Sequence, residues 1–162
     1  MTFDRFTPNP HFDLSSFLST KKKALGTILQ EADLVSAYQI QSALQEQVAH
    51  PNLRIGEILV QRDLIKPETA DFFVQDWSNV VMQPNKNALG YYLRQAAILN
   101  SGQIEVILAV QRDSGIRFGT IAVFQGFLKS TTLDFFLTNL FPEELHVSPF
   151  INMNSRRKPL SD

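Results

Sequence analysis

Between residues 24 and 140 the apolar positions are spaced three and four apart rather than alternating, which is the signature of one helical face. The pattern repeats. Aligned on Gly26, Gly56, Gly90 and Gly119, each glycine follows an apolar residue, namely Leu25, Ile55, Leu89 or Phe118, and is followed three positions later by Leu29, Leu59, Leu93 or Ala122. Eight positions after the glycine an apolar pair begins: Leu34-Val35, Leu64-Ile65, Ile98-Leu99 and Phe127-Leu128. The chain has 7 glycines, and four of them fall on this one position, so the register is not a coincidence of composition.

The four blocks are residues 24–47, 54–77, 88–111 and 117–140. The first and third share Ala-Leu-Gly at the start and a closing Gln (Gln47, Gln111). The second and fourth share an opening Arg (Arg54, Arg117), Lys66 with Lys129, and Asp-Phe-Phe at 71–73 and 134–136. The order is A-B-A-B with a period of about 63 residues. Each block predicts two short helices. The first should stop near Asp33, Asp63, Ala97 or Gly126, because Gly takes the left-handed conformation that ends many helices and Asp tolerates it better than most residues. The second should open at Ser36, Lys66-Pro67, Asn100-Ser101 and Lys129-Ser130, and turn inward a face begun by Ile40, Ala43 and Leu44 and their counterparts. Of each Phe pair, 72–73 and 135–136, one member is expected to stay at the surface, since adjacent helical positions diverge. One helical hairpin cannot bury such a face alone, so the units must pack on one another. The fold expected is all-α, four helix-hairpin units in two packed modules.

The expected boundaries are an irregular N-terminal arm at 1–20 carrying Pro8 and Pro10, a first module at 21–78, a linker at 79–87, a second module at 88–145 and a flexible tail at 146–162. Hydrophobic residues make up 44% and charged residues 19%, a globular composition. A formal net charge of −1 argues against DNA or RNA as a partner. The 162-residue chain has no cysteine, no charged-then-apolar leader, and no apolar run near the roughly 20 residues that cross a bilayer, so a cytoplasmic protein without a membrane span is expected.

Catalytic patterns are missing. There is no G-x-x-x-x-G-K-[ST] phosphate loop, and His11, His50 and His146 are too far apart to share a metal by local spacing. Glu143-Glu144 reads as a helix-start pair rather than an acid–base pair, and Lys21-Lys22-Lys23 as a solvated basic turn. The expectation is a protein that is not an enzyme, with no cofactor, no metal site and no catalytic residue.

The unit pattern R-L-G-x-x-L-[LV]-x-x-G-L-[IL] followed by spaced Leu and a final Gln resembles the MshEN domain family, the N-terminal domain of type II secretion and type IV pilus assembly ATPases. The resemblance covers residues 22–140, twice over. It implies a regulatory protein in which each motif pair takes one cyclic-di-GMP, the Arg facing phosphate or a guanine edge and the apolar residues facing the purines. Carried over by position, the implied ligand residues are Leu25, Gly26, Leu29, Gln47, Arg54, Ile55, Gly56 and Leu59 in the first pair. In the second they are Leu89, Gly90, Leu93, Gln111, Arg117, Phe118 and Gly119. The pattern is departed from at its polar positions, where Ala24 and Ala88 stand for Arg and Trp77 and Leu140 for Gln, and its inner Gly is kept only as Gly126. The departures leave a second reading open, an adaptor that keeps the scaffold, has lost the nucleotide, and binds a protein partner in pilus or secretion machinery.

Overall fold

A computed structural model describes residues 23–147, and 146 and 147 only in their backbone; the arm at 1–20, Lys21, Lys22, His11, the His146 side chain and the tail from 148 lie outside the described residues. Within that range the chain is all-helical. In chain order come α1 (Leu25–Glu31), α2 (Ala37–Ala49), α3 (Ile55–Gln61), α4 (Pro67–Asp71), a π-helical turn (Phe72–Asp76), α5 (Trp77–Met82), α6 (Leu89–Gln95), α7 (Ser101–Ser114), α8 (Phe118–Phe124), α9 (Ser130–Leu140) and a 3-10 segment (Pro142–Val147). No helix among the described residues is long and apolar enough to cross a membrane.

The short helices α1, α3, α6 and α8 all stop in the same way. Asp33, Asp63, Ala97 and Gly126 sit at φ of 54°, 53°, 53° and 72°. The next amide then reaches back five residues, from Leu34 to the Leu29 carbonyl (3.0 Å), Leu64 to Leu59 (3.0 Å), Ile98 to Leu93 (2.9 Å) and Phe127 to Ala122 (3.0 Å). This closure satisfies carbonyls that a helix end would leave bare. The reversal then delivers the second helix at a defined cap. Ser36 accepts from the Gln39 amide, and Asn100 accepts from the Gln103 amide at 2.8 Å, each with the Gln side chain accepting in return from the cap amide. Pro67 fills the first position of α4, where no donor is required.

The two halves are tied crosswise. The Thr132 hydroxyl of α9 donates to the Ala32 carbonyl at the end of α1 (2.8 Å), and the Thr69 hydroxyl of α4 donates to the Ala96 carbonyl at the end of α6 (2.7 Å). Lys129 and Lys66 repeat the arrangement, donating to the Asp33 and Ala97 carbonyls at 2.9 and 3.3 Å. Each half's second unit therefore caps the first turn of the other half. Residue 33 gains an extra tie: Thr131 donates to its carboxylate at 2.7 Å. That bond, helped by the charge of Lys129, holds the Asp33 carboxyl below its usual range.

The core lies where these ties converge. Phe72, Phe73, Trp77, Phe135 and Phe136 are all buried, with Trp77 stacked on Phe135 (centroids 5.1 Å apart, planes 17° apart) and Phe73 5.3 Å from Trp77. The expected surface member of each Phe pair does not exist: all four rings are inside. Physically, α9 is walled on more than one side, against α8 and against α5, so adjacent positions can both meet neighbours. Trp77 and Leu140 belong to the same core, at 6% and 3% exposure, which explains why an apolar residue closes units two and four. The opposite correction applies outside. Leu44 and Leu108 were expected inward with Ile40 and its counterpart, yet both are exposed, because α2 and α7 pack on one side only and bury a narrow stripe headed by Ile40 and Ala43 or by Ile107.

A candidate ligand cleft

The N-termini of α6 and α8 meet in the second half. Gly90 on α6 is what allows the meeting: a Cβ there would stand 2.8 Å from Cζ of Phe118. Gly119 is equally tight, since its Cβ would fall 2.6 Å from Cδ1 of Leu133, a residue buried to 2% exposure. Two backbones thus come close to side chains that carry the walls of a cleft of about 400 Å³. It is lined by Ala88, Leu89, Gln111, Arg117, Phe118, Gly119, Thr120, Leu133, Leu137, Phe141 and Glu144. The volume lies within the range that small-molecule sites occupy.

Of the residues implied in this half, Leu89, Gln111, Arg117, Phe118 and Gly119 line the cleft together, although the sequence separates them by up to 30 positions. Arg117 is the residue just before α8, in extended backbone, and its side chain is exposed. Gln111 comes from the last turn of α7. Leu93 and Gly90 do not line it: Leu93 is fully buried in the core, and Gly90 is buried beneath the Phe118 ring.

The first half repeats the backbone and changes the side chains. Leu29 and Leu59 are fully buried core, and Gly26 lies 3.2 Å, measured from an added Cβ, from Cγ2 of Ile40. Leu25, Ile55 and Gly56 are half-buried where α1 meets α3. Gln47 is already engaged, donating through Nε2 to the Leu53 carbonyl at 3.0 Å and so closing the 48–53 connection. Arg54 precedes α3 as Arg117 precedes α8, but its amide donates to the Glu57 carboxylate at 2.6 Å. In the second half the residue at that position is Thr120. The cleft residues Leu133, Leu137, Phe141 and Glu144 correspond in the repeat to Ala70, Val74, Ser78 and Val81.

Sequence reasoning did not single out Ala88, Thr120, Leu133, Leu137, Phe141 or Glu144 as ligand residues. Leu133 and Leu137 were legible only as helix-face residues, and Phe141 comes to the cleft wall because the chain turns into the 3-10 segment after α9. Among the described residues no group of three His, Cys, Asp or Glu could hold a metal ion. The carboxyl pushed upward is Asp134, by burial, and it is not part of the cleft.

No family model matches the sequence, and no solved structure matches it. An uncharacterized protein of Picosynechococcus sp. is 35% identical over 125 residues, covering 77% of this chain and 68% of that protein. The chain belongs to the same family as this Picosynechococcus protein.

Proposed function

We propose that this chain is a non-enzymatic regulatory binding protein whose ligand is a cyclic dinucleotide, cyclic-di-GMP, held in the cleft of the second half. The reading is carried by one observation. Five residues selected by the resemblance to the MshEN domain converge on a single cleft, and they bring a cation, an amide and apolar walls. Arg117 supplies the charge that a phosphate requires, Gln111 supplies a donor and an acceptor, and Phe118 with Leu89 offers purine faces a dry surface. The first half supports the nucleotide less well, because its Gln47 is spent on a backbone carbonyl and Glu57 places a negative charge beside Arg54. The expected stoichiometry is therefore one nucleotide per chain.

Calorimetry with cyclic-di-GMP tests this. Saturable 1:1 binding should weaken about 10- to 100-fold in Arg117→Ala, the cost of one charge-assisted hydrogen bond, and stay within about 3-fold in Arg54→Ala. Absence of heat at high micromolar ligand would refute the proposal.

A second reading, a cytoplasmic adaptor that docks a protein of pilus or secretion machinery, draws on a separate feature. On α2, Tyr38 and Val48 stand 79% and 83% exposed, with Leu44 also at the surface. Tyr38→Ser with Val48→Ser should then abolish capture of a partner identified independently, while leaving nucleotide binding intact.

A further inference from the structure

The cleft contains an acidic residue that an anion site should avoid. Glu144 lines the same space as Arg117, and its carboxylate has no hydrogen-bond or ion-pair partner among the described residues. Facing a phosphate, it would cancel most of the attraction of Arg117. Its presence has a local cause. Pro142 cannot continue α9, since it lacks the amide proton and its ring clashes with the preceding turn. The chain folds back into the 3-10 segment, with the Glu144 amide donating to the Phe141 carbonyl at 2.9 Å, and this brings Phe141 and Glu144 to the cleft wall. In the first half Asn79 stands at the position of Pro142, so α5 simply runs on to Met82 and presents Ser78 and Val81 instead. The acidic wall thus exists in one half only.

A carboxylate is an acceptor and nothing else. It tolerates a nucleotide only if the ligand turns donors toward it and its phosphates elsewhere. Guanine does so, offering N1–H and the N2 amino group side by side, whereas adenine offers a lone pair at N1 that a carboxylate repels. Phe118 and Phe141 line the same cleft and provide ring surface against which a base can lie. Resting on the nucleotide reading above, we infer that Glu144 is the base-selecting residue of the cleft: it accepts from the Watson–Crick edge of a guanine while Arg117 takes a phosphate. Sites built to satisfy a hydrogen-bonding edge reject analogues that lack it, because their own polar groups are left unpaired.

The test uses the full chain with cyclic-di-GMP and cyclic-di-AMP, in wild type, Glu144→Gln and Glu144→Ala. Glu144 is exposed, and matching thermal melts will show that each variant is folded. Wild type should prefer the guanine dinucleotide by about 10-fold or more, and both variants should lose that preference chiefly by weakening cyclic-di-GMP. Equal affinity of wild type for the two dinucleotides, or an unchanged preference in both variants, overturns the role of Glu144 while leaving the cleft as a dinucleotide site. Failure of both ligands to bind wild type overturns the parent reading and this inference with it.

Discussion

Thr69 and Thr132 perform the same task in the two halves, each reaching across to the carbonyl that ends the other half's first helix, at 2.7 and 2.8 Å. Gln47 and Gln111 hold equivalent positions and do different things: one is tied to the Leu53 carbonyl, and the other lines a cleft. The halves share the paired Thr and Lys ties that hold them together, with an added Thr131–Asp33 bond on one side, and they differ further where a small molecule could enter. That contrast has a physical basis. An interlock needs both partners, so a change in one half is felt by the other, whereas a cleft wall in one half can change without disturbing its counterpart.

The interlock should fail first and most heavily. Phe136→Ala and Phe73→Ala each remove a ring at 0–1% exposure from the shared aromatic core, and each should cost about 3–5 kcal/mol. Chemical denaturation should show one cooperative transition at a lower midpoint for both variants. Two separated transitions, one near the wild-type midpoint, would mean that the halves are independent modules and would break the comparison.

Next in size is a test of how tightly the cleft half and its counterpart are built. Gly119→Ala places a methyl 2.6 Å from Leu133, which is locked in the core, whereas the same change at Gly56 meets Leu25 at 3.1 Å and Leu25 is only half-buried. The first should destabilise by about 1–3 kcal/mol and the second by clearly less, read from denaturation midpoints. Equal losses would show that the second half is no more constrained than the first.

Ala97 sharpens the comparison of the four turns. Its φ of 53° is a conformation that a Cβ opposes, and Gly126 holds the matching place at 72° without that opposition. Ala97→Gly should therefore stabilise by up to about 1 kcal/mol, the relief of left-handed strain less the added freedom of the unfolded chain. At Asp33 the same change should not help, because the carboxylate that receives Thr131 and Lys129 would be lost.

The smallest effect separates Asp71 from Asp134, which open the two Asp-Phe-Phe segments. Asp71 is exposed, whereas one oxygen of Asp134 is buried without a hydrogen-bond partner among the described residues and its carboxyl is pushed above the usual range by burial. A carboxyl whose folded pKa exceeds its unfolded one binds its proton more readily in the native state, so stability falls as pH rises through that window. Asp134→Asn should raise the melting temperature at neutral pH, and the gain should vanish in acid below the ordinary carboxylate range. Asp71→Asn should show no such trend.

Much of the scaffold was legible in the sequence because it is local. Three-and-four spacing gave the helices, Ser36 and Asn100 gave two caps, and Asp33, Asp63, Ala97 and Gly126 marked four turns that each involve only the residues beside them. In the second half the glycine positions, Gln111 and Arg117 were visible as well, since their spacing is fixed by the repeat. Tertiary structure alone decided the rest. Whether Phe72 and Phe73 both face inward depends on the number of walls around the helix, and Leu44 lies at the surface because α2 has too few. Equivalent positions became a carbonyl clasp at Gln47 and a cleft wall at Gln111. Glu144 reached the cleft through the break at Pro142, and the direction of the returning chain is set by packing rather than by the residues beside it. A helix and its ends are specified by neighbours a few residues away, whereas a cleft is specified by surfaces that meet only after the helices have packed.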